Sequence, residues 1–156
     1  MSLAQQLQQI AAQLTPKIDC ALNNEVATAI KNEEAKIIDA VVYGVYNPTE
    51  YDRRRSSGGL SDTHNMIHSA GGGKLKVKNV TPPNPAGNGT VTTGKDLPSV
   101  VEHGYSGAGS YDFPKPGAAY MEPRPFTKET VQNLKENKKH IKALKSGLQR
   151  QGIKTN

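Results

Sequence analysis

Asp62-Thr63-His64-Asn65, with His68 four residues after His64 and His103 farther along, holds the residue types from which a metal or nuclease site could be built. Two histidines four apart share one face of a helix. On a strand they share a sheet face at opposite ends. The alternation over Thr63–Ser69 favours the strand. A metal site needs three or four converging ligands and a supporting layer behind them, and no paired Glu or Cys completes one here. Polar side chains on the wet face of an antiparallel strand account for the cluster. The rival is a metal-dependent nuclease using Asp62, His64, His68 and His103, which would cut in a chelator-sensitive way. We expect no catalytic residues, no metal and no cofactor.

Three other groupings could carry chemistry. Arg53-Arg54-Arg55 could grip phosphate. Ser56-Ser57-Gly58-Gly59-Leu60 follows at once, with Leu60 resuming the core, so the arginines read better as turn residues that pair with acids of a neighbouring chain or of the first helix. Gly71-Gly72-Gly73-Lys74 resembles the end of a phosphate loop, but Leu75 stands where Ser or Thr is needed and no helix follows. Nucleotide binding is rejected on that ground. Ser106, Ser110 and Cys20 have no His/Asp partner in a nucleophile motif. Cys20, the one cysteine, permits no intrachain disulfide. It lies on an apolar helical stripe and reads as a small buried hydrophobe.

The elements that must hold these residues fall into three zones. Leu3, Leu7, Ile10, Ala11 and Leu14 recur at helical steps, so residues 1–14 read as a helical extension. Thr15-Pro16 reads as an N-cap followed by proline at the first helical position. Ile18, Leu22, Val26, Ile30, Ile37, Ile38, Val41, Val42 and Val45 then extend the stripe over a helix at 15–46. The alternatives are one helix of about 30 residues or two stacked helices split at Thr15-Pro16. Tyr43, Tyr46 and Tyr51, at its end and exit, pack rather than stack on bases.

Residues 47–126 form a zone of sheet and loops that holds 12 of the 15 glycines and 9 of the 10 prolines. Thr63–Ser69 and Lys74–Val80 alternate as strands, with Gly71-Gly72-Gly73 as their hairpin turn. Residues 81–89 are a Pro/Gly loop, Thr90–Thr93 a short returning strand, Leu97–Glu102 a short helix capped at Gly104, and 107–117 another loop. The third zone is a C-terminal helix at 127–152, with Thr127 as N-cap and Phe126 stapled onto Val131. Val131, Leu134, Ile141, Leu144 and Leu148 form its apolar seam. Residues 1–156 are expected to be one domain.

Composition narrows the function classes. Apolar residues make up 35% of the chain, aromatics 5%, and Trp is absent. So lean a chain often gains stability from partners or from its own copies; disorder of some segments is the competing explanation. Residues 127–156 hold eight Lys/Arg against two Glu, which is the whole net charge of +6. That helix could face an acidic surface. No aromatic is interleaved to stack on bases, so a solvated lysine face is favoured over a nucleic-acid-binding module. The N-terminal residues show no basic segment and no long apolar run, so neither a signal peptide nor a membrane span is expected.

Three segments, in order, resemble the small neck proteins (head–tail joining, tail completion) of long-tailed bacteriophages and prophages, of the lambdoid minor tail-component type. They are a helix at Ala35–Tyr46, leading to Tyr51-Asp52-Arg53-Arg54-Arg55-Ser56-Ser57-Gly58-Gly59-Leu60; Val101-Glu102-His103-Gly104; and Arg124-Pro125-Phe126 at a helix start. The order covers about residues 15–150. Two departures are His103, where the family usually has an aromatic, and the long loop 81–96.

The resemblance implies an α+β fold, a small antiparallel β-sheet packed with a long N-terminal helix and a C-terminal helix, with long Gly/Pro-rich loops. It implies a structural, non-enzymatic virion protein, assembled in the bacterial host cytoplasm into a ring, a hexamer by that resemblance. The ring would join head connector to tail or complete the tail. The partners implied are copies of itself, head connector and adaptor proteins, and tail terminator, tail tube or sheath proteins, with DNA passing through the lumen and no membrane. A tail-terminator ring capping the tube is the alternative within the family. Interface candidates are Arg53, Arg54 and Arg55 for ion pairing between subunits, and Glu102 as acceptor or helix-terminal anchor. Tyr105, Tyr111, Phe113 and Tyr120 are candidate loop anchors, since Tyr and Arg are favoured at hot spots. Phe126 completes the set.

Overall fold

In the computed structural model, Ser2 starts the fold with a reciprocal cap. Its hydroxyl accepts the Gln5 N–H at 3.3 Å, and the Gln5 side chain accepts the Ser2 N–H at 2.8 Å. Helix α1 (Leu3–Ala21) then runs through Pro16 without a break. The split at Thr15-Pro16 does not occur. Thr15 donates its hydroxyl to the Ala11 carbonyl at 2.9 Å, so it belongs to the turn before the proline and caps nothing. A widened π turn (Leu22–Val26) leads into α2 (Ala27–Ile38), and a second one (Asp39–Tyr43) ends the rod. Cys20 is exposed, against the burial expected of it. Its neighbour Ala21 takes the buried position, fully covered. The structure describes residues 2–45, 54–82, 97–106 and 120–155.

The hairpin pairs β1 (Met66–Gly71) with β2 (Lys74–Asn79) in antiparallel register, Met66 opposite Asn79 and Gly71 opposite Lys74. Gly72 and Gly73 turn it at φ +60° and +75°, the left-handed pair a two-residue hairpin requires. Both of their N–H groups donate to the Asp19 carboxylate, at 3.0 and 2.8 Å, which docks the turn on α1. The first strand begins three residues later than its alternation suggests. Asp62 accepts the His64 N–H at 3.0 Å and holds Thr63–Asn65 as one turn of 3₁₀ helix.

Helix α3 (Leu97–His103) ends at Gly104, whose φ is +72°. Tyr105–Ser106 (β3) and Tyr120–Met121 (β4) then pair antiparallel. The expected strand at Thr90–Thr93 lies outside the described residues, as do the loop 107–117 and most of 81–89. Thr81 itself is buried and fixed by hydrogen bonds.

The C-terminal zone is two helices. Helix α4 (Phe126–Asn137) starts one residue before the expected N-cap, and Lys138 at φ +56° separates it from α5 (Lys139–Arg150). The break is held by Glu33 of α2, which is 4% exposed. One of its oxygens accepts from Asn137 Nδ2 at 2.9 Å and the other from Lys139 Nζ at 2.6 Å. Asn137 also accepts the Lys139 N–H through its side chain, which starts α5. Beyond the break α5 runs back along the N-terminal rod. Gly147 sits on Ala21, where a Cβ would come within 2.7 Å of the Ala21 Cβ. Arg150 meets Glu25 at 2.7 Å, and Gln151 donates to the Lys17 carbonyl at 2.8 Å. The fold is α+β, with the hairpin and the C-terminal helices packed on one long helical rod.

Ile38, Val42, Leu60, Met66, Val101 and Phe126 form the core, none more than 5% exposed. Phe126 goes into this cluster at 1% exposure, while Val131, its expected staple partner, stays 47% exposed. An aromatic ring gains more from complete burial among five other apolar side chains than from one contact on its own helix.

Candidate functional site

The three segments singled out in the sequence meet at one joint. The Arg54–Leu60 turn closes on the end of the N-terminal rod. Tyr43 accepts the Leu60 N–H at 3.0 Å, and the guanidinium of Arg55 lies over the Tyr43 ring, 5.8 Å from its centroid. Arg54 donates to the Pro82 carbonyl at 2.8 Å. Gly59 lies against the backbone of Arg54 and Arg55, where a Cβ would overlap it. Asp62 accepts the Gly58 N–H at 2.7 Å. With the N–H and ring of His64 on its other oxygen, its carboxyl is held below the usual range, the backbone N–H of His64 contributing most.

Asn79 and Thr81 bind this turn to the hairpin. Asn79 donates to the Leu60 carbonyl at 2.8 Å. Thr81 donates its hydroxyl to the Asn79 side chain at 2.6 Å, with a longer contact to the Gly59 carbonyl at 3.2 Å. Asn79 also faces Glu34 of α2 at 3.4 Å. Burial pushes the Glu34 carboxyl up, the Asn79 hydrogen bond opposes this, and the charge of Glu102 adds to the rise. Sequence reading missed both Asn79 and Glu34. The signal available was a polar residue at the end of a strand and an acid next to an apolar stripe.

The Val101-Glu102-His103-Gly104 segment and the Arg124-Pro125-Phe126 segment lock directly. Arg124 donates its N–H to the Val101 carbonyl at 2.9 Å and its guanidinium to the Val42 carbonyl at 3.1 Å. Glu102 accepts the N–H groups of Thr127 and Lys128, at 2.8 and 3.4 Å. The carboxylate from one helix thus caps the first turn of another, where helix dipole and unpaired N–H groups both favour an anion. Of the two roles foreseen for Glu102, helix-terminal anchor is the one observed within the chain. Glu34, Asn79, Glu102 and Phe126 line a cleft of about 240 Å³ between α3 and β2.

The histidines do not converge. His64 pairs with Asp62 at 2.9 Å, His68 meets the Asn23 carbonyl at 3.0 Å, and His103 meets the Ser99 carbonyl at 3.0 Å. Among the described residues no group of three His, Cys, Asp or Glu is placed to hold a metal ion, and no helix is long and apolar enough to cross a membrane. Arg53, Tyr111 and Phe113 lie outside the described residues; the backbones of Tyr105 and Tyr120 belong to the paired strands β3 and β4. Within the chain Arg54 binds a carbonyl and Arg55 lies over an aromatic ring. Two of the C-terminal cations, Lys139 and Arg150, are matched to Glu33 and Glu25; Lys142 on α5 and Lys138 just before it are exposed.

The profile of the YomN family matches residues 6–150. A curated relative, the SPbeta prophage-derived uncharacterized protein YomN of Bacillus subtilis strain 168, is 31% identical over 128 residues, covering 81% of this chain and 77% of its own. No solved structure matches.

Proposed function

This chain belongs to the YomN family, and from that premise we propose that it is a structural, non-enzymatic protein of a tailed phage or phage tail-like particle, encoded by a prophage. It forms a ring of its own copies in the neck, where it joins the head connector to the tail or completes the tail. The observation that carries the reading is the joint. Glu102 caps the helix that Arg124-Pro125-Phe126 begins, so segments about twenty residues apart in sequence act as one rigid block. A ring subunit needs such a block to hold its contacts with neighbours in fixed geometry. The prophage origin of the curated relative supports the setting. A ring that terminates the tail tube fits the same observations and differs in position.

The experiment is deletion of the gene in an inducible lysogen, followed by electron microscopy and mass spectrometry of the released particles. Unjoined heads and tails, or tails of abnormal length, together with the protein's presence in wild-type particles, are expected. Complete, infectious particles lacking the protein would overturn the reading. The nucleic-acid module remains the second reading because Lys138 and Lys142 are exposed at the start of α5. It requires DNA binding by the isolated chain that weakens steeply with salt.

A further inference from the structure

The first half of α1 carries an apolar stripe that nothing among the described residues covers. Leu3, Leu7, Ile10 and Leu14 are 72%, 58%, 52% and 39% exposed, and every residue from Ser2 to Leu14 is exposed. Their steps of four, three and four are the heptad spacing of helices that pack on helices. The same face continues seven residues beyond Leu14 to Ala21, which is fully buried under Gly147 of α5. The α5 helix ends with Gln151 beside Lys17, so one face of one helix is covered at its far end and bare at its near end.

We propose that the stripe Leu3–Leu7–Ile10–Leu14 is a contact between copies of this chain, with the α1 helices packed against one another. Charge selects this occupant. Residues 2–16 contain no Asp, Glu, Lys or Arg, and the positions beside the stripe are Ala4, Gln6, Ala11 and Gln13. A membrane-surface helix carries Lys or Arg on its polar face, nucleic acid requires cations, and a charged protein partner is chosen by opposite charge. This segment offers none of these. An identical neutral helix meets it without like-charge repulsion, and the alanines allow close approach. Size points the same way. A stable pairwise interface takes ~800 Å² from each partner, more than a helical segment ~18 Å long supplies on one side. Copies arranged around an axis cover each stripe from both flanks and add area without further sequence. The contact deepens the ring reading above and rests on it in requiring self-association.

The test is light scattering of the full chain across a concentration series, for wild type and Leu7→Gln/Ile10→Gln. Expected is a wild-type mass that rises with concentration and is reduced to a single chain at all concentrations in the α1 variant, whose far-UV helicity is unchanged. A wild-type oligomer that survives Leu7→Gln/Ile10→Gln overturns the contact and leaves the ring reading standing. A single chain at every concentration overturns the contact, and the deletion experiment then judges the neck role by itself. Flotation of wild type, but not of the α1 variant, with phosphatidylserine-containing vesicles would assign the stripe to lipid and overturn the proposal.

Discussion

Two stretches of the same helical rod carry the same kind of sequence and meet opposite fates. Around Ile38 and Val42 the apolar stripe is sealed by Leu60, Met66, Val101 and Phe126, all at 5% exposure or less. Around Leu7 and Ile10 it is open to solvent. Periodicity makes both helical and amphipathic, and the difference lies in what the rest of the chain can reach. Glu102 and Arg124 fasten α3 and α4 over the first stretch, while α5 stops at Lys17 and never reaches the second. One end of the rod is organised by its own chain. The other, on our proposal, is organised by a copy.

Substitutions at the joint should cost stability, and those on the arm should not. The largest effect is expected for Phe126→Ala, about 3–5 kcal/mol lost in urea unfolding, because it empties the centre of the core. A loss under ~1 kcal/mol would mean that the joint is not the core. Gly147→Ala forces a methyl against Ala21 and the Glu25 carboxylate and should cost ~1–3 kcal/mol, seen as a lower denaturation midpoint.

Glu102→Ala should cost ~1 kcal/mol by uncapping Thr127 and Lys128, with Glu102→Gln costing less because an acceptor remains. Equal losses in the two would show that the carboxylate charge, rather than its acceptor geometry, holds α4. Glu34→Gln sharpens the contrast through pH. Burial raises the Glu34 carboxyl, so the folded chain keeps that proton to higher pH than the unfolded chain does. Stability is undiminished below the ordinary carboxylate pKa and falls as pH rises toward the raised one. The variant lacks that fall, so its melting advantage over wild type should grow from acid to neutral pH. At the other extreme, Leu7→Gln should leave unfolding of the single chain within ~0.5 kcal/mol of wild type. A larger loss measured at low concentration would show that the stripe is covered within the chain.

Much of the fold was legible. The helical stripe, the hairpin with its Gly-Gly turn, the short helix stopped by Gly104 and the C-terminal helical zone all follow from local rules: period, turn glycine and cap. The misses share one cause. Thr15-Pro16 reads as a boundary because proline usually ends helices, yet a proline on an exposed helix face leaves its orphaned carbonyl to solvent, and the rod continues. The C-terminal helix reads as one because nothing local marks Lys138 as left-handed. The break is held by Glu33, more than a hundred residues away in sequence. Cys20 and Ala21 share an apolar stretch, and only the position of α5 decides which of them is buried.

The segments behind the candidate site were visible as residues, and their relation was not. Sequence by itself determined the elements, the neutral character of residues 2–16 and the concentration of cations after Phe126, because period, cap and charge are properties of neighbours along the chain. Only the tertiary structure decided that Glu102 caps α4, that Glu33 holds the break between α4 and α5, that His64, His68 and His103 each find a separate partner, and that one apolar stripe is buried while its continuation is bare. Those outcomes depend on which groups, distant in sequence, satisfy each other's hydrogen bonds and cover each other's apolar surface, and that is settled when the helices pack.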